Sequence, residues 1–469
     1  MTKNLTAGPP TRLIVGFTLP LLVGNMFQQL YAFTDAAVVG RMLGVEALAA
    51  VGASGSLQFL LIGFTLGAAN GLGIPIARAF GNGDFERMRR SVAAGVIASA
   101  GIAAAVVLIG TVFARGLLTL MATPSELMAS SIAFLSVLFA GAPVTMAFNF
   151  LSAAIRALGD SRTPLIFLIV ACLLNAGLVV VFVGGCGFGV AGAALATVVA
   201  QLVSVAACLV LIAKKMPLLR LGRADFRLRR DEFGESVRMG LTMGFQMSTI
   251  AVGALVLQYA INGLGTEGVA AATAALRVDQ FAVQPLASFG LGVSTYVAQN
   301  RGAGQWRRIR VGVFRTLLVT WGVAALVGVV ITLGGTQIVG LFVGEGERAV
   351  VGMAHQYLVI NAGLYAILAT LFVLRNAIQG LGATFVPTLA GGMELVLRAA
   401  AGLLLVTRFG FLGVCLAAPL AWVGALTPIL VSWFSHRRQM LDDELLAGRA
   451  LADECPECRQ PCEPTLAPA

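Results

Sequence analysis

The stretch LIVGFTLPLLVGNMFQQLYAFTDAAVV, residues 13–39, decides the fold class. About 20 mostly apolar residues suffice to carry a helix across a bilayer. One charge interrupts the run, Asp35. A carboxylate at membrane depth costs about 3 kcal/mol on insertion scales, so intramembrane acids are functional candidates by default. Asn25, Gln28 and Asp35 fall on one face at 3.6 residues per turn. That face belongs in a cavity or against other helices, not in lipid. The plainer alternative is a structural polar residue bonded to a neighbouring span.

Composition extends this reading to the whole chain. Of 469 residues, 58% are hydrophobic and 12% charged, against about 25% charged in soluble domains. The apolar residues come in long blocks, which excludes an outer-membrane barrel with its alternating strands of about 10 residues. Twelve spans are expected, at 13–39, 47–75, 91–118, 127–153, 164–184, 189–213, 236–261, 268–297, 311–334, 349–374, 387–407 and 411–433. With the N-terminus inside, most of the 32 basic residues fall in inside segments, as orientation by Lys and Arg requires. Both termini are therefore expected in the cytoplasm of a bacterium, around a multi-pass inner-membrane protein. That distribution also accounts for the net charge of +10 without nucleic acid as a partner. The first span is too long for a cleavable signal and reads as a signal-anchor.

Other chemistry is sparse. GNGDFER and NRGAGQW are turns between helices and are not preceded by strands, so no phosphate loop is expected. Cys172, Cys186, Cys208 and Cys415 read as small packing residues. CPECRQPC in the tail lacks a fourth zinc ligand; no metal and no cofactor are expected. Two histidines and few buried acids make a membrane enzyme a poor reading.

The chain repeats itself. LGVEALAA (43–50) matches LGTEGVAA (264–271) at an offset of 221. Gly81, Gly83, Arg87 and Arg89 match Gly302, Gly304, Arg308 and Arg310 at the same offset. LGDSRTP (158–164) matches LGATFVP (381–387), and GVAGAALA (189–196) matches GFLGVCLA (410–417). Six spans per unit bring both units into the membrane from the same side, so the repeats are parallel, with substrate expected between them near the midplane. The domains are then residues 1–213, a first six-helix bundle; 214–235, a cytoplasmic linker; 236–433, a second bundle; and 434–469, a flexible cytoplasmic tail. Pro20, Pro143 and Pro285 lie within spans and are candidate hinges.

These paired turns, the LGDSRTP and LGATFVP connectors and AQNRGAG (298–304) resemble the MATE family, the multidrug and toxic compound extrusion transporters, on its DinF-like side. The resemblance runs to about residue 435. It implies an all-α integral membrane fold of twelve transmembrane helices in two pseudo-symmetric six-helix bundles arranged as a V. It implies antiport, with an organic, often cationic, compound or drug expelled as H⁺ or Na⁺ enters. It makes Asp35 the residue that binds the coupling ion and matches Asn175 to the family's fifth-span Asn. Val179 stands where relatives often carry an Asp, so Asp35 is the only acid within the first half's spans. One branch of the family uses acids in the seventh and tenth spans; here those spans carry Gln246, Gln258 and Asn361 instead. Arg277 and Asp279 match a polar pattern of the eighth span.

Several residues follow as candidates. Asp35 has no cationic partner in its own span, which suits a proton carrier; oxygens from Asn25, Gln28 and Asn175 suit Na⁺. Both ions stay open, the missing second acid favouring H⁺. Phe27, Tyr31, Met146, Asn149, Gln246, Gln280, Gln284 and Asn361 are candidates for a largely apolar cavity with a few polar anchors. Glu394 and Arg398, at i and i+4, are read as a structural ion pair. Arg156 and Arg162 mark a cytoplasmic connector. A monomer in the lipid bilayer is expected. A lipid-linked oligosaccharide flippase of the same superfamily is the first rival, and a membrane enzyme or receptor the second.

Overall fold

The computed structural model describes residues 3–121, 123–343 and 347–454; for side chains, positions 30–37, 45, 56, 120, 342–343 and 447–454 also fall outside the description. Among the described residues there is no strand. The first half holds α1 (Pro10–Leu43), α2 (Val45–Gly81), α3 (Phe85–Leu120), α4 (Ser125–Ala140), α5 (Ala142–Ala157), α6 (Arg162–Val179) and α7 (Gly189–Lys215). The second holds α8 (Arg230–Asn262), α9 (Gly265–Gly302), α10 (Trp306–Val343), α11 (Arg348–Gly363), α12 (Tyr365–Gly380), α13 (Phe385–Phe409) and α14 (Phe411–Glu454). Among the described residues ten helices are individually long and apolar enough to span a membrane; α4 with α5 and α11 with α12 make two more, bent by 47° and 52°. The twelve spans expected from hydropathy are thus present, with the fourth span of each half broken.

Both breaks sit at the same place in the repeat, at Gly141 and Leu364. In the first half Pro143 lies in the opening turn of α5, where a missing N–H and a fixed φ suit a restart. The second half has no proline there. Its break is held by Asn361, whose Nδ2 donates to the Tyr357 carbonyl at 2.9 Å and the Cys415 carbonyl at 3.3 Å. Of the candidate hinges, Pro20 and Pro285 lie inside α1 and α9, each of which is continuous in helix.

The connectors explain their own sequences. In LGDSRTP, Asp160 Oδ1 accepts from the N–H groups of Arg162 and Thr163, both at 3.0 Å, and Oδ2 accepts from the Thr163 hydroxyl at 2.7 Å. The carboxylate caps the first turn of α6. Gly159 and Gly382, the equivalent glycines of the two connectors, have φ of +82° and +75°, which a glycine adopts without strain.

The linker is shorter than expected and is docked. α7 runs to Lys215 and α8 starts at Arg230. Asp225 faces Arg89 at 3.5 Å; from the first turns of α8, Glu232 pairs with Arg90 at 2.9 Å and Glu235 with Arg78 at 2.5 Å. The tail also departs from expectation. α14 continues past residue 433 to Glu454, with Met440 buried and Glu444 paired with Arg310.

The halves meet through α2 with α8 and α1 with α9. Gly67 and Gly71 of α2 lie against the backbone of Met243 and Met239, while Gly240 and Gly244 of α8 receive Leu72 and Phe64. Small residues four apart let helix backbones approach closely in membranes. At the N-terminal end the crossing tightens further. Gly81 lies on the Gln299 backbone and Gly302 on that of Arg78, a pair of contacts related by the repeat.

Candidate transport site

The first half places a buried polar pair between α6 and α7. Asn175 is fully buried, and its Nδ2 donates to Thr197 Oγ1 at 3.2 Å. Thr197 in turn donates to the Ala193 carbonyl at 3.2 Å, a helix-internal bond that orients its oxygen. Thr197 was not picked out from the sequence. A lone threonine in an apolar helix carries no signal until its partner is known.

The level of this pair along the bundle follows from packing. Gly24 of α1 lies against Leu165 and Leu168 of α6. Asn175 is two turns further along α6, about 10 Å at 1.5 Å per residue. α1 and α6 both start at the N-terminal end, so the matching stretch of the α1 backbone is near positions 31–35. The side chains of Asp35 and Tyr31 lie outside the described residues. Asn25 belongs elsewhere: its Nδ2 donates to Ser288 Oγ of α9 at 2.9 Å, joining the two halves. Phe27 and Gln28 are half-buried on α1.

The cavity candidates separate into two groups. Gln280 is exposed and Gln284 half-buried on α9. The others are buried. Met146 is fully buried, in a hydrophobic core that α2 and α5 share with α8. Asn149 Nδ2 donates to Thr65 Oγ1 at 3.4 Å, between α5 and α2. Gln246 accepts from Gln379 Nε2 at 2.6 Å, between α8 and α12. Asn361 holds the α11–α12 break. Asn149, Gln246 and Asn361 are thus each bonded within one bundle.

Two arginines are interior, Arg375 and Arg156, the second of which was expected to mark a cytoplasmic connector. Arg375 of α12 is 2% exposed, and its Nη2 donates to Glu394 Oε2 at 2.8 Å. The expected Glu394–Arg398 pair is present at 2.9 Å on the other carboxylate oxygen. The pair is thus a triad. Arg156 of α5 donates through Nη2 to Asn70 Oδ1 at 3.0 Å. It lines a cavity of about 20 Å³ with Asn70, Ser294 and Thr295, between α2, α5 and α9. That is room for about one water molecule. Neither position is legible from hydropathy, because both arginines lie within six residues of a glycine-containing turn.

Twelve spans, duplicated, closed on each other at one end and carrying polar groups inside each bundle, define a polytopic membrane transporter of two homologous halves. The MatE family model matches residues 20–181 and again 243–404. The chain belongs to the MatE family, a family of transporters and not of enzymes. The two matched segments start 223 residues apart, consistent with the offsets of the repeated turns. Among relatives, the Bacillus subtilis (strain 168) protein "Probable multidrug resistance protein YpnP" is 28% identical over 381 residues, 81% of this chain and 84% of that one. "Multidrug export protein MepA" of Staphylococcus saprophyticus is 24% identical over 446 residues, 92% and 96% of the two chains. Among solved structures, an outward-facing multidrug resistance MATE family transporter superposes with a TM-score of 0.86 at 21% identity, covering 94% of this chain and 99% of the other. At that identity the likeness speaks for the fold alone.

Proposed function

We propose that the protein is a secondary active exporter of organic, often cationic, compounds and drugs, driven by exchange for H⁺ or Na⁺ across the plasma membrane of a bacterium. Both termini then face the cytoplasm, and the chain works as a monomer. The observation that carries this reading is the buried Asn175–Thr197 pair at the level of α1 positions 31–35. Two neutral oxygens and an acid from the adjacent helix suit a small cation or a proton. The names of the relatives YpnP and MepA support multidrug substrates.

In this reading Asp35 is ionised when the protein takes up substrate from the cytoplasm. Binding of the ion from outside neutralises it and releases the substrate. The two ligands must favour different states, since equal affinity for both states shifts nothing.

The test is ethidium efflux in everted vesicles under an imposed ΔpH or Na⁺ gradient. Asp35→Asn is expected to reduce gradient-driven transport to background while the protein stays in the membrane. Efflux at the wild-type rate in that variant would refute the assignment. A lipid-linked oligosaccharide flippase is the second reading, and Arg156, a guanidinium that donates to the neutral Asn70 in the small cavity between α2, α5 and α9, favours it. Lipid exchange in vesicles without ethidium transport would select it.

A further inference from the structure

Arg156 of α5 carries a guanidinium with five N–H donors. Among the described residues it makes one hydrogen bond, from Nη2 to Asn70 Oδ1 at 3.0 Å, and no ion pair. Its cavity of about 20 Å³ is walled by α2, α5 and α9. Ser294 and Thr295 line it from α9, and neither hydroxyl has a hydrogen-bond partner among the described residues. Asn70 accepts from Arg156 through its carbonyl oxygen, which leaves its amide N–H groups to donate. Ile74 and Leu291 make part of the remaining wall apolar. The polar groups around this cavity can therefore all donate, and the one charge among them is positive. A guanidinium in such surroundings is costly unless its charge is balanced.

The duplication shows that the fold does not require this charge. At the offset of 223 that relates LGDSRTP to LGATFVP, Arg156 corresponds to Gln379. Gln379 is 2% exposed and donates to Gln246 at 2.6 Å. A neutral amide with one partner thus serves the same position in the second half. At the offset of 221, Ser294 and Thr295 correspond to Gly73 and Ile74, which line the same cavity and carry no hydroxyl. At this cavity the two halves therefore differ. The first supplies a guanidinium and an amide, the second two hydroxyls.

We propose that this cavity is a site for a small monatomic anion, chloride, held by Arg156 and Asn70 from the first half and by Ser294 and Thr295 from the second. The bound ion favours the state in which the halves are closed at their N-terminal end. Size selects the ion: the cavity has room for about one water molecule, and chloride is only slightly larger. A phosphate group shares the chemistry, but its four oxygens exceed that volume. Donation to an anion gives charge-assisted bonds, which are stronger than neutral ones, and the ion cancels the guanidinium charge. Position supplies the coupling. Ala157, the next residue, accepts at its carbonyl from Gln299 Nε2 at 2.8 Å, and Gly81 lies on the Gln299 backbone. The cavity is therefore beside the contacts that close this end. Parting the halves there carries Ser294 and Thr295 away from Arg156 and splits the donor set. The open form then binds the ion less tightly, and that difference shifts the population toward closure. The binding does not rest on the exporter reading above.

The experiment needs no transport. The full chain in a neutral detergent is melted in sodium gluconate, with sodium chloride substituted stepwise at fixed ionic strength so that screening stays constant. An ion that binds only the folded chain raises the unfolding midpoint, by about 2 °C at a tenfold excess over its dissociation constant. The wild-type chain is expected to show a saturable rise with chloride. Arg156→Gln, which installs the residue of the second half, should show none. The double variant Ser294→Ala and Thr295→Val should need at least about tenfold more chloride for half the rise, since a hydrogen bond to a charged group is worth about that factor. A wild-type midpoint indifferent to chloride, or an equal rise in Arg156→Gln, would overturn the proposal. Should Arg156→Gln fail to fold, an unmoved half-saturation in the double variant would do the same. A saturable rise with inorganic phosphate or with phosphatidylglycerol, and none with chloride, would also overturn it and make the ligand a phosphate oxygen.

Discussion

Glu394 carries two guanidiniums at once, and its removal strands both. Breaking a buried ion pair by deleting one partner costs about 3–5 kcal/mol, because the remaining charge is uncompensated. Glu394→Ala is therefore expected to lower the thermal unfolding midpoint in detergent sharply. Replacing all three members with apolar residues, Arg375→Met, Glu394→Met and Arg398→Met, should recover much of the loss. A triple variant no more stable than Glu394→Ala would show that the triad does more than neutralise itself. At this scale the sequence is legible in part. Glu394 and Arg398 announce themselves through i, i+4 spacing on one helix. Arg375 does not, since its partner is 19 positions away on another helix and its own neighbours look like the edge of a turn. For Met146 and Asn361 the sequence is silent on the decisive point. Their types fit a cavity, but whether a span's face meets a cleft or a sister helix is decided by packing that hydropathy does not record.

Helices begin and break here for local reasons that differ in how openly they are written. Asp160 caps α6 with three hydrogen bonds, and the motif LGDSRTP carries that plainly. Asp160→Ala should cost about 1 kcal/mol, the usual worth of such a cap. Burial opposes the charge on this carboxyl, but hydrogen bonds such as those from Thr163 outweigh it and hold the group below its ordinary value of 3.8. The sign follows: a depressed folded value gives stability that is complete above the unfolded value and is lost as pH falls through the folded one. The wild-type advantage over Asp160→Ala in thermal unfolding should therefore persist at pH 7 and shrink below about pH 4. An advantage that stayed constant down to pH 3 would contradict the capping role. The breaks in the fourth spans are less legible. Pro143 marks one, but the other is made by Asn361 reaching two carbonyls, one of them 54 positions away. The helical extension of α14 was hidden for a related reason: its residues are too polar for a span and owe their order to Arg310 and the burial of Met440.

The whole molecule is closed at its N-terminal end by an arrangement in which the chain's own start takes part. The Lys3 N–H donates to the Leu158 carbonyl at 3.0 Å, in the first half. Two residues on, the Leu5 N–H donates to Gln299 Oε1 at 2.9 Å, and the Leu5 carbonyl accepts from Asn300 and Arg308, both at 3.3 Å, in the second half. Gln299 Nε2 completes the circuit by donating to the Ala157 carbonyl at 2.8 Å. Leu5 itself is wholly buried. The duplication was readable from glycine turns at one offset, because those turns must meet the same backbone demands in each half. This seal was not, because the N-terminal segment has no counterpart in the repeat and makes these bonds through its own main chain, which any residue type supplies. Such a segment ties the halves together only while they are closed at this end, so it adds its binding free energy to that state alone. Leu5→Asp should remove it, since a carboxylate buried there without a partner is heavily penalised. Spin labels at Glu86→Cys and Arg307→Cys, exposed and equivalent in the two halves, in a background free of native cysteines, would read the consequence. The parent should give one short distance, and Leu5→Asp a second, longer population. A distance distribution unchanged by Leu5→Asp would mean that α2, α8 and α9 hold the end shut by themselves, through the close glycine contacts at Gly71, Gly81 and Gly302.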